Sequence, residues 1–263
     1  KLYWTDIPTG RLFRYDPASD QAEQIYEGRP VGGFTFQEDG ALLLFRDHGN
    51  VVVWRDGKEV RTIIDEIPDE RGTRFNDVFA DPEGRVFCGT MPLPEQRAGR
   101  LYRLDPDGSC HLLLENIACS NGMDLTPDGT QFYYTDSGAR TIYLFDYDRA
   151  TGNLTNQRPF LEVPEDAGLP DGMTVDATGD IWNARFNGGC VCHITADGSL
   201  AEKIDLPAKQ ITSLIFAGDD YTDLYITSAG AQNKPDTGAH AGALFHFRPG
   251  VQGKPEHASR IGL

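Results

Sequence analysis

One feature limits what this chain can fold into more than any other: it repeats itself. An apolar strand, a turn closed by an acidic residue or Thr followed by Gly, and a second apolar strand recur along its length. The unit reads Gly33-Phe34-Thr35-Phe36, Asp39-Gly40, Ala41-Leu42-Leu43-Leu44-Phe45 at its first complete occurrence. It returns around Glu83-Gly84, around Asp128-Gly129 and around Thr178-Gly179, and once more with a longer turn at Asp219-Asp220. A further strand follows each pair, at 10–15, 50–54, 99–104, 141–145, 189–193 and 242–247. Alternating apolar and polar residues mark these segments as strands, and the Asp-Gly dipeptides are strong hairpin turns. The turn glycines 40, 84, 129 and 179 stand 44, 45 and 50 residues apart. That period, with about four strands per unit, predicts an all-β six-bladed β-propeller filling residues 1–263 as a single domain. Leu2-Tyr3-Trp4 matches the second strand of a unit, so the first blade is expected to be incomplete, its first strand falling upstream of Lys1. The strand at 242–247 is expected to feed a blade shared with the N-terminal strands, removing the exposed sheet edges.

In a propeller the first strand of each blade faces the axis. Eight residues before the four turn glycines stand Gly32, Asn76, Asn121 and Asp171. Three of the four carry a side-chain oxygen where strand packing favours Val or Ile. A single Asn-Gly or Asp-Gly pair is ordinarily a turn; the coincidence of position is what points to chemistry. Oxygen donors without Cys or His suit a hard divalent ion, Ca²⁺ first, with Mg²⁺ and Mn²⁺ as alternatives and Zn²⁺ less favoured. The six histidines show no zinc spacing. Asp105-Pro106-Asp107-Gly108 resembles the start of a calcium loop but lacks the later ligands, and it reads as a turn.

Composition excludes some classes of partner. Forty acidic against 24 basic residues give a formal charge of −16, which repels nucleic acid. No apolar run is long enough to span a membrane. Five cysteines without a CxxC pair point to a reducing, cytoplasmic setting, where the acceptor pattern Asn153-Leu154-Thr155 is a chance match. Cys190 and Cys192 alternate along a strand and read as packing residues. No nucleophile elbow, phosphate loop or dinucleotide fingerprint is present.

The stretches Arg74-Phe75-Asn76-Asp77, Gly89-Thr90-Met91, Ser120-Asn121-Gly122-Met123-Asp124, Phe132-Tyr133-Tyr134-Thr135-Asp136-Ser137, Phe145-Asp146-Tyr147-Asp148 and Pro170-Asp171-Gly172-Met173 together resemble the gluconolactonase/senescence-marker-protein (regucalcin) family. The resemblance runs from about Leu2 to Phe247, in that family's order and spacing. It implies a propeller with one channel metal and lactonase activity on aldonolactones. It further implies that Asn121 and Asp171 ligate the metal, and that Arg74 and Asn76 hold substrate oxygens. The family's third ligand, a Glu in a Gly-Glu-x-Pro-x-Trp stretch, is expected upstream of Lys1.

On this reading Asp171 doubles as general base and Arg74 offers a planar fork to sugar oxygens. Taken without the resemblance, Arg74 reads as an ion-pair partner of Asp69, Glu70 or Asp77, and Asp136 as either a group supporting the site or a strand-end turn. Rival readings are a calcium-binding regulatory or protein-docking propeller, and a phosphotriesterase-like hydrolase. Tyr3-Trp4-Thr5-Asp6 spells the YWTD string of receptor propellers, but it occurs once and reads as a strand end. Specificity is expected in the loops at 91–97 and 232–240.

Overall fold

A computed structural model describes residues 1–93, 98–230 and 234–263; parts of both expected specificity loops lie outside the described residues. Among these residues, strands form six sheets in which chain neighbours are hydrogen-bonded side by side. The first sheet holds β1 (Leu2–Asp6), β2 (Arg11–Asp16) and β3 (Gln21–Glu27). The second holds β4 (Val31–Phe36), β5 (Leu42–Arg46), β6 (Val51–Arg55) and β7 (Lys58–Ile64). The third holds β8 (Thr73–Ala80), β9 (Val86–Pro92), β10 (Gly99–Leu104) and β11 (Cys110–Ile117). The fourth holds β12 (Ser120–Leu125), β13 (Gln131–Asp136), β14 (Thr141–Asp148) and β15 (Asn153–Glu162). The fifth holds β16 (Leu169–Val175), β17 (Ile181–Phe186), β18 (Cys190–Ile194) and β19 (Leu200–Asp205). The sixth holds β20 (Ile211–Ala217), β21 (Asp223–Ser228) and β22 (Leu244–Phe247). These are the six blades of a β-propeller, as the repeat predicts. The chain divides into two compact units, Lys1–Ser120 with Glu256–Leu263, and Asn121–Pro255.

The repeat turns have one geometry. Gly40, Gly84, Gly129 and Gly179 donate to Gln37, Asp81, Thr126 and Asp176 O at 2.9, 3.0, 2.8 and 3.1 Å. All four glycines have positive φ (83, 80, 65 and 98°), a conformation a side chain strains. Asp105-Pro106-Asp107-Gly108 is likewise a turn, with Gly108 N donating to Asp105 O at 2.8 Å.

Within each four-stranded blade the fourth strand is the most exposed. In the first unit, the apolar faces of β5 and β6 pack with β8 and β9 through Leu43, Phe45, Val51, Phe75 and Val86. Phe45 and Phe75 meet edge to face at 5.3 Å. In the second unit, Met173, Val175, Ile181, Cys190 and Cys192 share one cluster, so the two cysteines are packing residues as expected. Trp182, Ile211, Phe216 and Leu224 form another. The outermost strands β7 and β19 are largely exposed. At the other extreme β12 is buried throughout although it reads Ser-Asn-Gly-Met-Asp-Leu. Polar residues at such depth must be hydrogen-bonded or ligand-binding, because desolvation otherwise disfavours them.

One topological expectation is corrected. The strand near 242–247 does not complete a blade with the N-terminal strands; β22 pairs with β21, Leu224 opposite Phe247 and Thr227 opposite Leu244. A direct antiparallel return to the preceding strand has a lower closure entropy than a long excursion. The residues that do reach the first unit lie further on. Ser259 bridges to Gln37, Ser259 N donates to Phe36 O at 2.8 Å, and Ile261 is fully enclosed in the first unit's core.

Candidate functional site

The four positions counted from the turn glycines all fall on first strands, and for three of them the reason is structural. The pairing of first with second strand slips between Val31 and Gly33, between Phe75 and Val78, and between Pro170 and Met173. Gly32, Asn76 and Asp171 are therefore in bulges. A bulge removes a residue from the ladder and re-aims its side chain, so these positions leave the regular strand pattern. The sixth sheet has the same slip between Ile211 and Ser213, placing Thr212 in an equivalent bulge. The glycine count misses Thr212 because that blade's longer turn puts its glycine, Gly218, at a different offset.

Within the second unit the structure brings the strands that carry Asn121 and Asp171 into contact. Asn121 Nδ2 donates to Ser137 Oγ at 2.8 Å, and Ser137 Oγ donates to the carbonyl of Pro170 at 2.5 Å, one residue before Asp171. The first bond orients the amide with its nitrogen toward Ser137, which leaves Oδ1 as the ligand-type atom. Gly122 brings the two backbones into contact: a Cβ there would lie 2.5 Å from Met173 N and 2.8 Å from Asp171 O. On β17, the fully buried Asn183 donates Nδ2 to the carbonyls of Asp171 and Gly172, both at 3.2 Å. Asp124, also buried, accepts from Val175 N at 2.7 Å and pairs with Lys254. An amide oxygen and a carboxylate on neighbouring first strands are the donor types that suit a hard divalent cation. Ser137 showed only as the end of a family-like stretch and Asn183 carried no signal, because nothing in their local pattern says which carbonyl they reach.

Within the first unit Arg74 and Asn76 are joined. Arg74 Nη1 donates to Asn76 Oδ1 at 2.7 Å and to Phe75 O at 2.9 Å, and Asn76 Nδ2 donates to Ser120 O at 2.7 Å. Glu70, one of the acids weighed as a partner for Arg74, is instead enclosed by Arg100 and Tyr102, at 2.8 and 2.7 Å, and by Thr73. Beside Asn76, desolvation raises the Asp77 carboxyl to about 6, against a weaker opposing hydrogen bond from Val78 N. A carboxyl tuned toward neutrality marks a functional candidate, and no pattern in the sequence announces it.

Asp136 resolves as a turn group, its Oδ1 accepting from Gly138 N at 3.1 Å and Ala139 N at 3.3 Å. A separate cluster on the fifth sheet, Asp176, Asp180 and His193, places its ligand-type atoms within 4.8 Å of one another. Its oxygens are already engaged. Asp176 accepts from Thr178 N, Asp180 N and Trp182 Nε1 at 2.8, 3.1 and 3.0 Å, and Asp180 contacts His193 Nε2 at 2.9 Å. It fastens a turn. No helix among the described residues is long and apolar enough to cross a membrane.

The chain is similar to known proteins in both sequence and fold. Residues 1–230 match the family described as SMP-30/Gluconolactonase/LRE-like region. Pentonolactonase XacC of Haloferax volcanii is 44% identical over 272 residues, covering 100% of this chain and 91% of the relative. Regucalcin of Danio rerio is 38% identical over 233 residues, covering 87% of this chain and 78% of that protein. Among solved structures, a luciferin-regenerating enzyme superposes with a TM-score of 0.89 at 27% identity, over 98% of this chain and 91% of that one. A regucalcin from Agrobacterium tumefaciens, described as a calcium-binding protein, does so with a TM-score of 0.89 at 26% identity, over 98% and 89%. With a family match across most of its length and a relative this similar over all of it, the chain belongs to the SMP-30/gluconolactonase/LRE-like family.

Proposed function

We propose that this protein hydrolyses sugar lactones to aldonic acids with the help of one divalent cation, Ca²⁺ before Mg²⁺, Mn²⁺ or Zn²⁺. The observation that carries the reading is the link from Asn121 through Ser137 to the residue preceding Asp171, which sets an amide and a carboxylate oxygen on contacting first strands. The relative named pentonolactonase supports the substrate class. The solved regucalcin described as calcium-binding supports the choice of ion.

Asn121 and Asp171 would hold the cation, which when bound polarises a lactone carbonyl and acidifies a coordinated water. Hydrolysis adds a water oxygen to the carbonyl carbon and breaks the bond to the ring oxygen, which leaves as a hydroxyl. Asp171 takes the proton from the attacking water and returns it to the leaving ring oxygen. Arg74, steadied by its bond to Asn76 Oδ1, holds sugar oxygens through its planar fork, and Asn76 orients with it.

The test is turnover of an aldonolactone panel by metal-stripped protein, with each cation restored in turn. Activity returns with metal in the wild type and is absent from Asp171→Ala at saturating metal. Wild-type rates in Asp171→Ala would overturn the scheme. Hydrolysis of organophosphates in preference to lactones would move the substrate class to phosphotriesters.

A further inference from the structure

The fifth blade departs from the repeat at one position. Four residues after the turn glycines stand Leu44, Cys88, Tyr133 and Asn183. All four are buried, at 0, 1, 2 and 0% exposure. Three of them fill the site with a packing residue; the blade that carries Asp171 fills it with an amide. A buried amide is disfavoured by desolvation, and packing alone selects an apolar side chain here. The departure therefore has another cause, and the hydrogen bonds give it.

The bulge at Asp171–Gly172 takes both residues out of register with β17, since pairing runs from Pro170 opposite Arg185 directly to Met173 opposite Asn183. Neither residue therefore has a register partner on β17. Asn183 Nδ2 donates to both carbonyls, each at 3.2 Å. Only the nitrogen end of the amide can face two carbonyls, so its orientation is fixed by chemistry. Its Oδ1 is enclosed without a hydrogen-bond partner, so the side chain is retained for its donors.

We propose that Asn183 is a positioning residue: its amide clamps the backbone of Asp171 and Gly172, and thereby sets how tightly the Asp171 carboxylate holds a cation. This rests on Asp171 being a metal ligand, as in the function proposed above. Groups that hold a ligand from behind govern metal affinity strongly, typically by 10–100-fold.

The experiment is calorimetric titration of metal-stripped protein with Ca²⁺ and Mn²⁺, comparing wild type, Asn183→Leu and Asn183→Asp, with melting curves of the metal-free proteins alongside. Asn183→Leu matches the shape without donors, and Asn183→Asp keeps the size but turns an acceptor toward the two carbonyls. The expected result is a roughly 10–100-fold weaker Kd in whichever variant melts cooperatively. Lactone turnover is then regained at high metal, with KM for the lactone little changed. An unchanged Kd in a folded variant overturns the proposal while leaving the metal site standing. A wild type that binds neither ion overturns the metal site and this proposal together.

Discussion

Asp77 offers a test in which stability and pH must move together in one direction. Its carboxyl is raised from an ordinary 3.8 to about 6 because desolvation disfavours the charged form. The native state therefore binds this proton more tightly than the unfolded chain. The associated stability is complete below about pH 4, declines as pH rises, and is lost above about pH 6. At pH 7.5 the fold carries a charge it would be more stable without. Converted at about 1.4 kcal/mol per pH unit, the displacement is worth about 3 kcal/mol. Asp77 retains partial solvent contact, so that figure is a ceiling and a gain of about 1–3 kcal/mol is expected. Asp77→Asn removes the charge, keeps the shape, and keeps an oxygen to accept from Val78 N, the bond now 3.2 Å long. Urea melts of wild type and variant at pH 7.5 and pH 4.5 measure the effect. The variant should be more stable at pH 7.5, with most of the gain gone at pH 4.5. An equal gain at both pH values, or a loss at pH 7.5, refutes the argument. If the charge is kept for catalysis, lactone turnover falls in the same variant that gains stability.

Three further outcomes follow from the geometry. Gly122→Ala forces a methyl against Met173 N and Asp171 O; a loss of about 1–3 kcal/mol in chemical melts and weaker metal binding by calorimetry are expected. Glu70→Ala strips Arg100, Tyr102 and Thr73 of their shared buried acceptor. About 3 kcal/mol of stability should be lost, and Glu70→Gln should lose less because it retains an acceptor. Chelator treatment followed by dialysis should lower the melting temperature of the wild type and leave that of Asp171→Ala unmoved, because a cation stabilises only a protein that binds it.

Much of the fold was legible because hairpin turns and strand alternation are local properties. Gly40, Gly84, Gly129 and Gly179 each mark a turn with the same i to i+3 bond, and counting back from them found Asn76, Asn121 and Asp171 on first strands. The count failed at Thr212, where a longer turn moved the glycine. It also failed to say why those positions are special, since a bulge is a property of two strands in register and not of either sequence alone. The roles of Ser137 and Asn183 escaped for a related reason. Each side chain acts on a carbonyl more than ten residues away, and such pairing is fixed by tertiary structure. Closure was misjudged because the apolar pattern of 242–247 suits any strand position, and only pairing with β21 shows which it takes.

The segment Glu256–Leu263 has a consequence for the order in which the molecule can be made. Thr35 and Ser259 share a hydrogen bond across 224 positions of sequence, and Gln37 reaches Ile261 across the same distance. During synthesis, strands β1 to β11 emerge first, yet the cluster around Phe45 and Phe75 lacks one member until Ile261 arrives, after the whole of Asn121–Pro255 has been translated. The earlier unit is thus the later one to finish. Contacts this distant slow folding, because loop closure must precede any reward. Until then that apolar cluster is incomplete, and incompletely packed apolar surface is what makes folding intermediates prone to misassociation.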